Sequence, residues 1–107
     1  MRIEEDMFFD KVITDDIKIV NNSTFDMHGI VNGNISVESG CTFLLHGILN
    51  GDLIVSKDAI ALIYGTMNGT IMDTVAKVEL HGILNTKAEV PEVVIKMPNC
   101  YINNQRY

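Results

Sequence analysis

The sequence predicts an all-β chain, a single-stranded parallel β-helix (solenoid) of triangular section with about 18 residues per coil and roughly five coils. Three observations predict it. A glycine-centred motif occurs four times at near-constant intervals. Ten apolar residues stand at an unbroken spacing of six. Within each six-residue unit the apolar residues come in pairs two apart, which is the side-chain period of a strand and not of a helix.

The motif copies are His28-Gly29-Ile30-Val31-Asn32-Gly33, His46-Gly47-Ile48-Leu49-Asn50-Gly51, Tyr64-Gly65-Thr66-Met67-Asn68-Gly69 and His81-Gly82-Ile83-Leu84-Asn85-Thr86, the last arriving one residue early. Ile35 and Val37 follow the first copy, Leu53 and Val55 the second, and Ala88 and Val90 the fourth. Ile17 and Ile19 precede the first copy in the same phase. The six-spaced series runs Ile13, Ile19, Phe25, Val31, Val37, Phe43, Leu49, Val55, Ala61 and Met67. It fails at Asp73 and resumes one residue early at Val78, Leu84 and Val90, so a one-residue deletion is placed near Asp73-Thr74. Ile95 and Tyr101 continue the series with one more residue missing. Pairs such as Phe25/Met27, Ile35/Val37, Phe43/Leu45 and Leu53/Val55 are the expected inward residues. Three six-residue faces close one coil, and each coil stacks about 4.8 Å above the last.

Taken in order, residues 1–12 are expected to cap the first coil, with Met7, Phe8 and Phe9 covering it and Glu4, Glu5, Asp6 and Asp10 keeping that end from pairing with another chain. Residues 13–90 are the regular coils. Gly29, Gly47, Gly65 and Gly82 turn one corner and Gly33, Gly51 and Gly69 the next, where positive φ or the lack of a Cβ is needed. Asn32, Asn50, Asn68 and Asn85 precede the second corner, suited to left-handed backbone and to a ladder of amide hydrogen bonds. Residues 91–107 form a degenerate last coil and tail, with Pro91 and Pro98 ending the ladder. The whole chain is one domain.

Composition removes several function classes. With 14 acidic against 8 basic residues, the net charge is −6. Nucleic acid and anionic membrane surfaces are therefore not expected partners. No apolar run reaches the roughly 18 residues of a transmembrane helix, and Met1-Arg2-Ile3-Glu4-Glu5-Asp6 lacks the apolar stretch of a signal peptide. Cys41 and Cys100 make no disulfide framework, and a cytoplasmic location with reduced thiols is expected. Cys41 shares a column with Ala59 and Ala76, which suits a small buried residue.

The cadence carried by His28 to Val37, His46 to Val55, Tyr64 to Ile71 and His81 to Asn85 resembles that of the bactofilins, over about residues 17–90. The resemblance implies a right-handed parallel β-helix and a non-catalytic, nucleotide-free bacterial protein that polymerises end to end through its terminal coils. Many members touch membrane through a short N-terminal segment, which the acid-flanked Met7-Phe8-Phe9 is not expected to do. Hexapeptide acyltransferases also place an apolar residue at every sixth position. They are the weaker match, because no protruding loop interrupts the middle coils.

His28, His46 and His81, with Tyr64 between them, are expected to stack on one corner as a surface ladder. A linear stack interrupted by Tyr64 suits zinc poorly, so no metal and no cofactor is expected. No carboxylate recurs beside these positions in the repeat, so general acid–base catalysis is not expected either. No phosphate-binding loop, nucleophile elbow or His-Glu-x-x-His motif occurs. The units 28–33, 46–51, 64–69 and 81–86 contain no Asp, Glu, Lys or Arg. The charges fall on the other two faces. One flank is thus an uncharged strip, the pattern of an interface core, with outward candidates His28, Ile30, Asn32, His46, Ile48, Asn50, Tyr64, Thr66, Asn68, His81, Ile83 and Asn85. The expected function is a non-enzymatic, bactofilin-like scaffold whose partner is protein, in the first place itself, associating through coil ends or this flank. The alternative is a small acidic protein that neutralises one partner in the manner of immunity proteins.

Overall fold

The computed structural model of the chain describes residues 1–73 and 76–106. It is a parallel β-solenoid with no helix among the described residues. Strands β1 (Arg2–Ile3), β2 (Met7–Phe9) and β3 (Val12–Ile13) make the first turn. The second holds β4 (Ile17–Ile19), β5 (Thr24–Met27) and β6 (Ile30–Asn32), and the third β7 (Ile35–Val37), β8 (Thr42–Leu45) and β9 (Ile48–Asn50). The fourth holds β10 (Leu53–Val55), β11 (Ile60–Ile63) and β12 (Thr66–Asn68), and the fifth β13 (Ile71–Asp73), β14 (Lys77–Leu80) and β15 (Ile83–Asn85). An incomplete sixth turn supplies β16 (Val94–Lys96) and β17 (Tyr101–Ile102), and β18 (Gln105–Arg106) folds back on it.

The three faces are three sheets, ordered β1-β4-β7-β10-β13, β2-β5-β8-β11-β14-β16 and β3-β6-β9-β12-β15-β17-β18. Every pairing is parallel except β17 with β18. The register reproduces the repeat: Ile17, Ile35, Leu53 and Ile71 are stacked partners, as are Val31, Leu49, Met67 and Leu84. Val55 still pairs with Asp73 at the regular interval, whereas Ile60 pairs with Lys77, one position early. The slip therefore falls between Asp73 and Lys77. Residues 74 and 75, where the sequence places it, lie outside the described residues.

The alternation of the strands decides the core. Phe25, Val31, Val37, Phe43, Leu49, Val55, Ala61 and Met67 of the six-spaced series are buried to within 1%, as are Met27, Ile35, Leu45 and Leu53, each two residues from one of them. One continuous apolar column runs from Ile3 to Ile102, with the rings of Phe25 and Phe43 stacked 6.0 Å apart. Burying each Leu- or Phe-sized side chain contributes about 1.5–3 kcal/mol. Cys41 sits between Ser23 and Ala59 in the small-residue column, buried as expected, and Cys100 is buried too.

Several expectations are corrected. Residues 1–12 are not a cap but the first turn, because Met7 pairs with Phe25 and Val12 with Ile30 in the ordinary register. Ile3 is buried, whereas Phe8 points outward. The corner between Ile3 and Met7 is shorter than that between Ile19 and Phe25, which hid this turn from the six-residue spacing. At the other end Ile95 and Tyr101 point outward, and Val94 and Ile102 fill the core. There Val78 pairs with Val94, two positions short of the regular interval, and the inward phase moves by one. Ala88 and Val90 do not continue the first sheet, since the segment before β16 forms turns and Ala88 is exposed. The prolines do not close the third sheet. Asn103 and Asn104, both at positive φ (50° and 67°), turn the chain tightly so that β18 covers its edge.

The glycine corners are steric rather than left-handed. A Cβ on Gly47 would stand 1.9 Å from the carbonyl oxygen of Gly29 in the turn before. In the regular turns the left-handed residues lie at the third corner, where Asn22, Gly40 and Asp58 are stacked at φ 56°, 81° and 64°. Asn32, Asn50, Asn68 and Asn85 do not take left-handed backbone; they close the strands of the third sheet.

Candidate functional site

The outer surface of the third sheet and the corner leading into it carry all twelve predicted residues. His28, Asn32, His46, Ile48, Asn50, Tyr64, Asn68 and Ile83 are exposed, and Ile30, Thr66, His81 and Asn85 are half-buried. They form three parallel ladders because a parallel solenoid sets equivalent side chains one above another at the inter-strand spacing.

At the entering corner the rings of His28 and His46 stack at 4.4 Å, His46 and Tyr64 at 5.0 Å, and Tyr64 and His81 at 4.6 Å. Phe8 extends this ladder by one ring, 4.7 Å from His28. No sequence signal pointed to Phe8, because its strand position is opposite Asp26 and only its ring reaches the corner. In the middle runs an apolar stripe, Ile30, Ile48, Thr66 and Ile83 in register, extended by Val12 (62% exposed) and Tyr101 (40%). At the leaving corner the amides of Asn50, Asn68 and Asn85 each donate to the side-chain oxygen of the Asn one turn earlier, at 2.8–2.9 Å. Beyond it the backbone N–H groups of Asn34, Asp52 and Thr70 donate to the side-chain oxygens of Asp16, Asn34 and Asp52, a second ladder that pins the same corner.

No carboxylate recurs from turn to turn beside the histidines, since the column reads Asp26, Leu44, Leu62 and Glu79, yet two single carboxylates reach them. Asp26 Oδ1 lies 2.9 Å from His28 Nε2 and 3.0 Å from His46 Nδ1, and Glu79 Oε1 lies 3.0 Å from His81 Nε2. Both carboxylates belong to the second sheet, two residues before a corner, and reach around it. A carboxylate only accepts hydrogen bonds, so each imidazole nitrogen facing one donates. The bond from His81, aided by Lys77 3.3 Å away, holds the Glu79 carboxyl below the ordinary glutamate value. The contact therefore supports the fold above the unfolded-state pKa of Glu79 and is lost as the pH falls through the folded-state value. In an NMR pH titration Glu79 should protonate below ordinary glutamates, and His81→Gln should move it up; an unmoved titration in that variant would assign the shift to another cause.

A shallow groove of about 440 Å³ follows the leaving corner between Asn68, Asn85, Lys87 and Asn103. No protein-family model, curated protein or solved structure matches this chain.

Proposed function

We propose that this protein is a non-catalytic scaffold that associates with copies of itself through the outer face of the third sheet. The observation that carries the reading is the stripe from Val12 through Ile30, Ile48 and Ile83 to Tyr101, apolar but for Thr66, running the length of the solenoid between the His/Tyr ladder and the Asn ladder. Charge depletion and exposed apolar area together mark the centre of an interface. The other faces carry solvent-exposed charged pairs such as Lys18 with Glu38 beside shorter apolar runs such as Ile54 with Met72. The face is a hydrogen-bonded parallel sheet flanked by an amide ladder, so two copies meeting there would order little additional backbone.

A second route is favoured by the ends. Strands β1, β2 and β3 are the outermost strands of their sheets, and an open sheet edge is a template for pairing. The opposite edge of the third sheet is covered by β18. Growth through coil ends would therefore start at the β1–β3 end, as bactofilin-like assembly requires of at least one terminal coil.

Light scattering across a concentration series tests the flank. The wild-type chain should form dimers or larger species. Ile30→Lys together with Ile48→Lys should yield a monomer with nearly unchanged melting, since both side chains point outward. Persistent association of the double variant would move the interface to the coil ends. A wild-type monomer at every concentration would overturn self-association in favour of a protein that binds one basic partner through its acidic surface.

A further inference from the structure

The corner ladder contains one place where three ligand-type side chains converge. Asp26 leaves the second sheet just before the corner, His28 stands on that corner, and His46 stands on the same corner one turn later. Their ligand atoms all lie within 4.8 Å of one another. We propose that Asp26, His28 and His46 bind a divalent transition-metal ion of the zinc class.

Two imidazole nitrogens and one carboxylate oxygen are the donor set that Zn²⁺, Ni²⁺ and Cu²⁺ favour, whereas Ca²⁺ and Mg²⁺ take mostly oxygen. In a tetrahedral site with bonds near 2.0–2.1 Å, neighbouring ligand atoms stand about 3.4 Å apart. Here Asp26 Oδ1 is 2.9 Å from His28 Nε2 and 3.0 Å from His46 Nδ1. Admitting an ion requires these two spacings to open by a few tenths of an ångström and the stacked His28 and His46 rings to turn so that their nitrogens face one centre. The nitrogens that now donate to Asp26 would pass their protons to the other ring nitrogen or to solvent. All three side chains are partly open to water, which leaves the remaining coordination positions to solvent.

The ladder prepares the site. His28 stands between Phe8 and His46, and His46 between His28 and Tyr64, so both rings already lie on the side of the corner that faces Asp26. Among the described residues no Lys or Arg forms an ion pair with Asp26 that an ion would have to displace. The other carboxylate–imidazole contact, Glu79 with His81, lacks a second imidazole because Tyr64 occupies the neighbouring rung. It is a built-in control.

Titration calorimetry of the chelator-treated full chain with ZnCl₂ should give saturable binding of one ion per chain. Asp26→Asn and His46→Asn should each weaken binding by more than the roughly 10- to 100-fold typical of losing an outer-shell partner, and His81→Asn should leave it unchanged. On the wild-type chain, ¹⁵N spectra should show the imidazole nitrogens of His28 and His46 moving with added Zn²⁺ while those of His81 stay in place. That readout does not depend on any variant folding. Absence of saturable binding, undiminished binding by folded His46→Asn, or equal perturbation of His81 would overturn the assignment.

Discussion

Leu49→Asp should leave no folded chain. Leu49 lies in the central turn, fully buried, with Val31 stacked on one side and Met67 on the other. The only buried polar or charged residue among those described is Ser23, whose hydroxyl donates to the carbonyl of Val20 at 2.6 Å. A carboxylate at position 49 would find neither a cation nor a hydrogen-bond donor. Burying it unpaired costs several kcal/mol, whether it stays ionised or takes up a proton. The leucine's own burial, worth about 1.5–3 kcal/mol, is lost as well. Small domains are stable by about 5–15 kcal/mol in total. A solenoid also has no distant contacts to compensate, because each turn touches only its neighbours. The change should abolish cooperative melting in circular dichroism, and Val31→Asp should do the same. Ile48→Asp, one residue away but 37% exposed, should melt close to wild type. A Leu49→Asp variant with an unshifted melt would refute the inward assignment of the whole column.

Gly47→Ala should be severely damaging for a single added methyl group. Its Cβ would lie 1.9 Å from the carbonyl oxygen of Gly29 and 2.8 Å from the carbonyl carbon and oxygen of His28. These are backbone atoms, and they already serve the ladder: Ile48 N–H donates to Gly29 at 2.9 Å, and Gly47 N–H to Met27 at 3.0 Å. No side chain can move aside, so the two turns must separate and their hydrogen bonds stretch. The loss should exceed the about 1–3 kcal/mol of ordinary overpacking, lowering the melting temperature by about 10 °C or more in a domain of this size. Gly40→Asn is the contrast. Gly40 has φ 81°, a conformation that Asn22 and Asp58 hold at the equivalent corner positions. Its Cβ would meet chiefly the side-chain oxygen of the exposed Asn22, which can turn away. That variant should stay within about 1 kcal/mol of wild type. Equal melting of the two variants would show that the glycine corners are not in close contact.

The apolar spacing makes the middle of the molecule legible. From Phe25 to Leu84 nearly every residue assigned inward is buried, because side-chain alternation and the six-residue face are both written directly in the order of residues. The ends are less legible. The short corner after Ile3 and the shortened turn before Val94 shift the phase, and a phase shift in a strand exchanges inside for outside. Hence the spacing assigns Ile95 and Tyr101 inward although they stand outward, and the first turn reads as a cap.

The candidate site divides along the same line. Sequence alone determined the three-sided solenoid, the register of its middle turns, the flank whose repeat units carry no charge and the twelve residues on it, since these depend only on which side of a strand a residue takes and on the repeat length. Tertiary structure alone decided that Asp26 and Glu79 turn the corner to meet the histidines, that Phe8 extends the ring stack, and that β18 folds back to cover one edge of the third sheet. Those facts depend on where side-chain tips and chain ends come to rest between neighbouring turns. Such a position is fixed by packing across a corner, which a linear period does not encode.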